Sequence, residues 1–241
     1  MLILDAGTGI RPLSAGLGAE LARVDILLTH LHMDHVQGLG FFAALYRPDM
    51  EVHIWGPPST TLHLRDRLAR YLSPPLFPVQ MRDLPCRLTL HDVPLTEFEI
   101  GALRVKASLI CHPGPTVGYR ISENGKAVAY LPDHEPALGA RRFPLEPEWT
   151  SGFELMAGVD LLIHDAQYTP EEYASHVGWG HSSLAQALRL GAKARVTKFV
   201  SFHHDPQHDD DTLDRLVEQA RRAVKLPFTL VGGTEGATFS V

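Results

Sequence analysis

Cysteine is scarce: Cys86 and Cys111 are the two present in 241 residues. Two are too few for a disulfide framework and lack the paired spacing of a zinc ribbon, so free thiols in a reducing compartment are expected. Positive charge is short as well. Lys and Arg total 22 against 28 Asp and Glu, a formal net charge of −6, which argues against a nucleic-acid coat protein held by phosphate neutralisation. No apolar run approaches the roughly 18 residues of a membrane span. The opening Met1-Leu-Ile-Leu-Asp5 has neither a basic n-region nor an apolar h-region. Cytoplasmic residence without a membrane partner is the expectation. No linker, repeat or low-complexity tract interrupts the chain, which reads as one domain over residues 1–241 with ordinary globular composition.

What the chain has instead is histidine, 14 residues of it. Any metal would therefore be held by imidazole and carboxylate, a donor set that suits zinc, manganese or iron. The apolar pattern is that of a mixed α/β protein. Leu2 to Leu4, Val24 to Leu28 and Glu51 to Trp55 read as strands, with helical segments over Val36 to Tyr46 and Thr60 to Leu72. From Phe98 to Leu131 the period changes to two, and Glu123-Asn-Gly-Lys126 is a hairpin signal, so an antiparallel meander is expected. Pro136 to Gly152 is a Pro/Gly-rich excursion whose Arg141-Arg142 pair reads as solvated. Alternation then resumes: strand Val159 to His164, helix Ser182 to Ala194, strand Lys198 to Phe202, helix Asp211 to Val224, and terminal strands Phe228 to Val231 and Thr238 to Val241.

The informative segment is Thr29-His-Leu-His-Met-Asp-His35, three imidazoles and a carboxylate within six residues of a buried strand's end. On an extended strand end His30 and His32 project to the same side, and the following turn swings Asp34 and His35 toward a neighbouring point. Two adjacent metals could be served. His112, Asp133 and His203 each follow another strand, at the edge where ligands of layered α/β folds collect.

Through these residues the sequence resembles the metallo-β-lactamase superfamily of binuclear metal hydrolases. The resemblance implies a four-layer αββα sandwich. It places His30, His32 and His112 on one metal, Asp34, His35 and His203 on a second, and Asp133 between them, with His204 the competitor for the last position. Two divalent ions, zinc foremost, are implied. Family members begin with one or two strands upstream of the segment equivalent to Leu2 to Asp5, which this chain is read as lacking. Ile110-Cys-His-Pro-Gly-Pro-Thr-Val-Gly-Tyr-Arg-Ile121, Ile163-His-Asp-Ala-Gln-Tyr-Thr169 and Gly180-His-Ser-Ser183 are similar to the ribonuclease Z and phosphoribosyl cyclic phosphodiesterase branch. That similarity makes His181 the distinguishing residue, a proton donor or phosphoryl contact beside a helix start, with Asp165 behind it.

The expected function is a dinuclear phosphodiesterase on a small or cyclic phosphodiester, with a metal-bridging hydroxide as nucleophile and Asp34 and His181 as catalytic residues. The alternatives are a lactonase or β-lactamase type of hydrolase and a non-catalytic metal-binding scaffold. The chain shows no long Gly/Pro-rich arm of the kind with which ribonuclease Z clamps transfer RNA. With a net charge of −6, transfer RNA is not expected as a substrate. The branch resemblance suggests a homodimer. Asp5 reads as a turn residue and Thr29 as a hydroxyl behind the ligands. His53, His63, His91, His134, His164, His176 and His208 read as structural or surface residues, and Tyr119, Tyr168 and Trp179 as packing or pocket lining.

Overall fold

The computed structural model describes residues 1–137 and 146–241, and the chain divides into two compact units, Met1–Pro94 and Leu95–Val241. The Arg141-Arg142 pair lies outside the described residues.

In the first unit, β1 (Leu2–Leu4), β2 (Arg23–Leu27), β3 (Glu51–Gly56) and β4 (Arg87–Asp92) form one parallel sheet in sequential order. Strand alternation sorts the faces: β3 buries Val52 and Ile54 and half-exposes Glu51, His53 and Trp55. The buried face packs Ile3, Val24, Ile26, Val52 and Ile54 against Leu39, Phe42, Leu45, Leu64 and Leu68. The helices are short, α1 (Ile10–Leu13), α2 (Met33–Val36) and α3 (Leu64–Leu68). The helix expected over Val36 to Tyr46 is instead one turn of α2 followed by two 3-10 turns, Leu39–Phe41 and Ala43–Tyr46. The break falls at Phe42, whose backbone is extended at φ −82° and ψ 113°. Gly38 and Gly40 allow close packing: a Cβ on Gly38 would sit 2.0 Å from the Gly7 carbonyl oxygen and one on Gly40 2.5 Å from the Phe77 ring. Strand β4 and the shortening of the expected 60–72 helix to α3 are further departures from the sequence pattern.

The second unit carries a seven-stranded sheet in the order β11-β10-β9-β8-β7-β6-β5. β5 (Glu97–Ile100), β6 (Leu103–Leu109), β7 (Val117–Glu123) and β8 (Lys126–Leu131) are the expected antiparallel meander. Its β7–β8 turn places Asn124 at φ 50° and Gly125 at φ 78°, the paired left-handed conformations of a type I′ hairpin. β9 (Leu161–Asp165), β10 (Lys198–Phe202) and β11 (Thr229–Gly232) continue parallel to β8. The strand expected over Thr238 to Val241 is not formed. Helices α4 (Phe153–Met156), α5 (Pro170–His176), α6 (Leu184–Ala194) and α7 (Asp210–Ala223) connect or follow these strands. Ala129, Leu131, Leu162, Leu190 and Phe199 are central to the core. Capping boxes start α5 (Thr169 with Glu172) and α6 (Ser183 with Gln186). The carboxyl ends of β8, β9 and β10 lie side by side, which brings Asp133, Asp165 and His203 to one edge of this sheet.

Candidate metal centre

In the first unit the donors come from a single loop. β2 delivers the chain to Thr29 and His30, His32 is the N-cap of α2, Asp34 lies in its first turn and His35 in its last. The rings of His30 and His32 are 4.4 Å apart and those of His30 and His35 4.2 Å. Asp34 Oδ2 lies 3.2 Å from His35 Nε2. The support beneath is Asp5, in a left-handed turn at φ 57° after β1. Its Oδ1 accepts from the Thr29 N–H at 2.7 Å and its Oδ2 from His35 Nδ1 at 2.9 Å. The Thr29 hydroxyl donates to the same carboxylate at 2.9 Å and lies 3.1 Å from His30 Nδ1. A hydroxyl that has spent its proton on Asp5 can only accept from His30, so His30 carries its proton on Nδ1. Backbone bonds clasp the same turn to the loop: the Ala6 N–H donates to the His35 carbonyl and the Gly38 N–H to the Ala6 carbonyl. Asp5 is therefore more than the turn residue the sequence suggested.

In the second unit the donors come from three strand ends. Asp133 Oδ2 lies 3.3 Å from His203 Nε2 and 3.7 Å from His112 Nε2. One carboxylate oxygen thus lies near two imidazoles. His112 donates Nδ1–H to the Gly180 carbonyl at 2.9 Å, and His203 Nδ1 meets the Gln167 amide oxygen at 3.1 Å. His204 Nε2 is occupied elsewhere, 3.3 Å from the Gly233 carbonyl. Its imidazole is held below the ordinary value by burial, with the Gly233 bond a partial offset.

His181 stands between these rings, stacked on His203 at 4.9 Å and edge-on to His112 at 5.0 Å. Its Nδ1 is 2.7 Å from Asp165 Oδ2. Asp165 is itself fully buried and accepts from the N–H groups of His134, Gln167 and Ser182. Ligand atoms of Asp165, His181 and His203 all fall within 4.8 Å of one another. Trp179 is exposed just before this residue, Tyr119 is fully buried in the core, and Tyr168 is buried. Burial, then the carboxylates of Asp205 and Asp165, push the Tyr168 hydroxyl up to about 12.

The donor chemistry fits divalent metal. His30, His35, His112 and His203 each commit Nδ1 to an oxygen, which fixes the ring and presents Nε2, the arrangement that outer oxygen acceptors impose on metal-bound histidine. Other histidines pair among themselves. His134 Nδ1 lies 2.8 Å from His164 Nε2, and burial keeps both below the ordinary imidazole value. His53 Nδ1 lies 2.9 Å from His91 Nε2. One contributor escaped the sequence reading, Gln167. The available signal was position: it lies two residues past Asp165, just beyond a strand end.

A mixed α/β chain with these donors at its strand ends has the features of a metal-dependent hydrolase, and the comparisons with known proteins agree. The family model described as the beta-lactamase superfamily domain matches residues 1–204. The chain belongs to the metallo-β-lactamase superfamily. Ribonuclease Z of Gemmatimonas aurantiaca is 26% identical over 97% of this chain and 85% of its own length, and ribonuclease Z of Thermococcus onnurineus 23% identical over 99% and 86%. Among solved structures, the metallo-β-lactamase fold protein YhfI of Bacillus subtilis aligns with TM-score 0.70 and 17% identity, covering 99% of this chain and 87% of that one. The short form of human tRNase Z aligns with TM-score 0.63 and 21% identity, covering 86% and 82%. The fold is thus the one the sequence motifs implied. Relatives named ribonuclease Z undercut the expectation against transfer RNA. No helix among the described residues is long and apolar enough to cross a membrane.

Proposed function

We propose that the protein is a dinuclear metal-dependent phosphodiesterase. His30, His32 and His112 would hold one ion and Asp34, His35 and His203 the other, with Asp133 shared between them. Two divalent ions, zinc foremost, would supply charge neutralisation at the phosphoryl group and a water acidic enough to attack at neutral pH. The observation that carries the reading is the Asp165–His181 pair beside Asp133 and His203. A buried carboxylate holds His181 by Nδ1 and leaves Nε2 as its acid–base nitrogen. As the bond from phosphorus to the leaving oxygen breaks, His181 Nε2 gives that oxygen its proton, and the exposed Asp34 takes the proton lost by the attacking water.

The substrate is read as a small or cyclic phosphodiester. A second reading, an RNA phosphodiester, is favoured by the ribonuclease Z relatives, which this chain covers over most of their length. The deciding experiment strips the protein with chelator, reloads it with Zn²⁺ or Mn²⁺, and follows bis(p-nitrophenyl) phosphate, a nucleoside 2′,3′-cyclic phosphate, a precursor transfer RNA and a chromogenic β-lactam. Metal-restored phosphodiester cleavage that Asp133→Ala lacks is the expected result, and turnover of the β-lactam alone overturns the proposal. His181→Ala should slow esters with alkoxide leaving groups by about 10²–10⁴-fold, the usual worth of a general acid. It should barely affect p-nitrophenolate release, which needs no proton.

A further inference from the structure

Glu135 is 1% exposed, and its carboxylate is crowded with donors from a segment about forty residues away. Oε1 accepts from the Tyr173 hydroxyl at 2.6 Å and the Gly178 N–H at 2.9 Å, and Oε2 from the Gly180 N–H at 2.8 Å and the Gly178 N–H at 3.1 Å. Gly178 and Gly180 lie at φ 91° and 94°, left-handed backbone that lets both N–H groups turn to one acceptor. Burial, then the bond to Glu135, raises the Tyr173 hydroxyl to about 12, so it donates at neutral pH. A Cβ on Gly180 would lie 2.2 Å from Pro113 Cδ and 2.5 Å from His112 Nδ1. The loop therefore presses on His112 more closely than any side chain would permit. Its Gly180 carbonyl receives the His112 proton at 2.9 Å, and the next residue is His181.

We infer that Glu135 is a positioning residue for the metal centre: by clamping Gly178 and Gly180 it sets the carbonyl that orients His112 and the backbone from which His181 departs. The inference rests on the metal-hydrolase reading above. Removing the clamp lets the Gly180 carbonyl drift, and His112 then loses the acceptor that selects its Nδ1–H tautomer. On this reading the Glu135 carboxylate acts on the centre through the loop.

The test compares Glu135→Gln, Glu135→Asp and Tyr173→Phe with the parent protein. Long-range ¹H–¹⁵N spectra of the metal-free proteins report the His112 tautomer, and chelator competition with Zn²⁺ reports affinity. The parent should show His112 as a single Nδ1–H tautomer. Glu135→Gln, which turns an NH₂ toward an N–H donor, should show a mixture and bind Zn²⁺ about 10–100-fold more weakly. Tyr173→Phe leaves both glycine bonds in place and should keep the tautomer and most of the affinity. Glu135→Asp, which keeps the charge but falls short of the loop, should lie between them and covers the case in which the glutamine variant does not fold. A lowered melting temperature with parental tautomer and affinity would make Glu135 merely structural and overturn the inference. So would a full loss in Tyr173→Phe, which would place the effect in α5. Should the parent bind no Zn²⁺, the metal reading fails, while the tautomer comparison still decides the clamp.

Discussion

The two units solve the same problem, fixing imidazoles in space, by opposite means. In the first, four donor residues fall within six positions of one loop, and a single carboxylate, Asp5, holds both Thr29 and His35. In the second, His112, Asp133 and His203 arrive from three separate strand ends, and each histidine has its own support, the Gly180 carbonyl or the Gln167 amide. A contiguous loop needs one anchor, and an error there displaces everything. Dispersed donors are held by the sheet itself, so each local support carries less.

The largest expected effect tests that contrast directly. Asp5→Asn, which keeps the side chain's shape and its tolerance of the left-handed turn, should weaken divalent metal binding by about 10–100-fold. Gln167→Ala, which frees only the His203 ring, should cost tenfold or less on the same scale. Chelator competition on both variants measures this, and equal losses would break the comparison.

A smaller effect concerns stability. Asp25 on β2 is nearly fully buried and accepts from Arg23 at 2.8 and 2.9 Å and from Trp55 Nε1 at 3.1 Å. Burial opposes its charge, but the Arg23 and Trp55 bonds outweigh it and hold the carboxyl below the usual carboxylate range. A folded value below the unfolded one of about 3.9 means that this stabilisation is present above pH ~4 and fades as the pH falls through the folded value. Asp25→Asn should therefore cost about 1–3 kcal/mol at pH 7, the price of disturbing buried hydrogen bonds. In urea titrations at pH 7 and pH 3 the gap between the two proteins should shrink at the lower pH. Smallest is Ser183→Ala, which removes the α6 cap and should lower unfolding stability by about 1 kcal/mol. Hydrolysis should be unchanged at temperatures well below melting, because the cap faces Gln186 rather than His181.

The same contrast explains what could be read from the sequence. The loop donors were legible because chemistry and chain position coincide in Thr29 to His35. The second set was legible only through strand ends, which the apolar runs of β6, β8 and β10 marked well. Glu135 was not legible, since its partners Tyr173, Gly178 and Gly180 become neighbours only after the chain has passed through β9 and α5. In the fold, the meander and its Asn124-Gly125 turn carry their own local code. The 36–46 segment misled because its apolar spacing is helical, while Gly38 and Gly40 serve close packing that spacing does not reveal. Strand β4 is hard to read because Arg87, Thr89 and His91 give it a polar face at the sheet's edge.

The strand β5 ends the seven-stranded sheet, where β6 is its neighbour in the ladder. Its sequence is Glu97-Phe-Glu-Ile100, with both glutamates exposed and set opposite Lys106 and Arg104 across the ladder. Within one molecule these charges are matched by β6. A second molecule offering the same strand edge-to-edge would bring glutamate against glutamate, so four residues that complete the sheet also discourage it from growing into an aggregate.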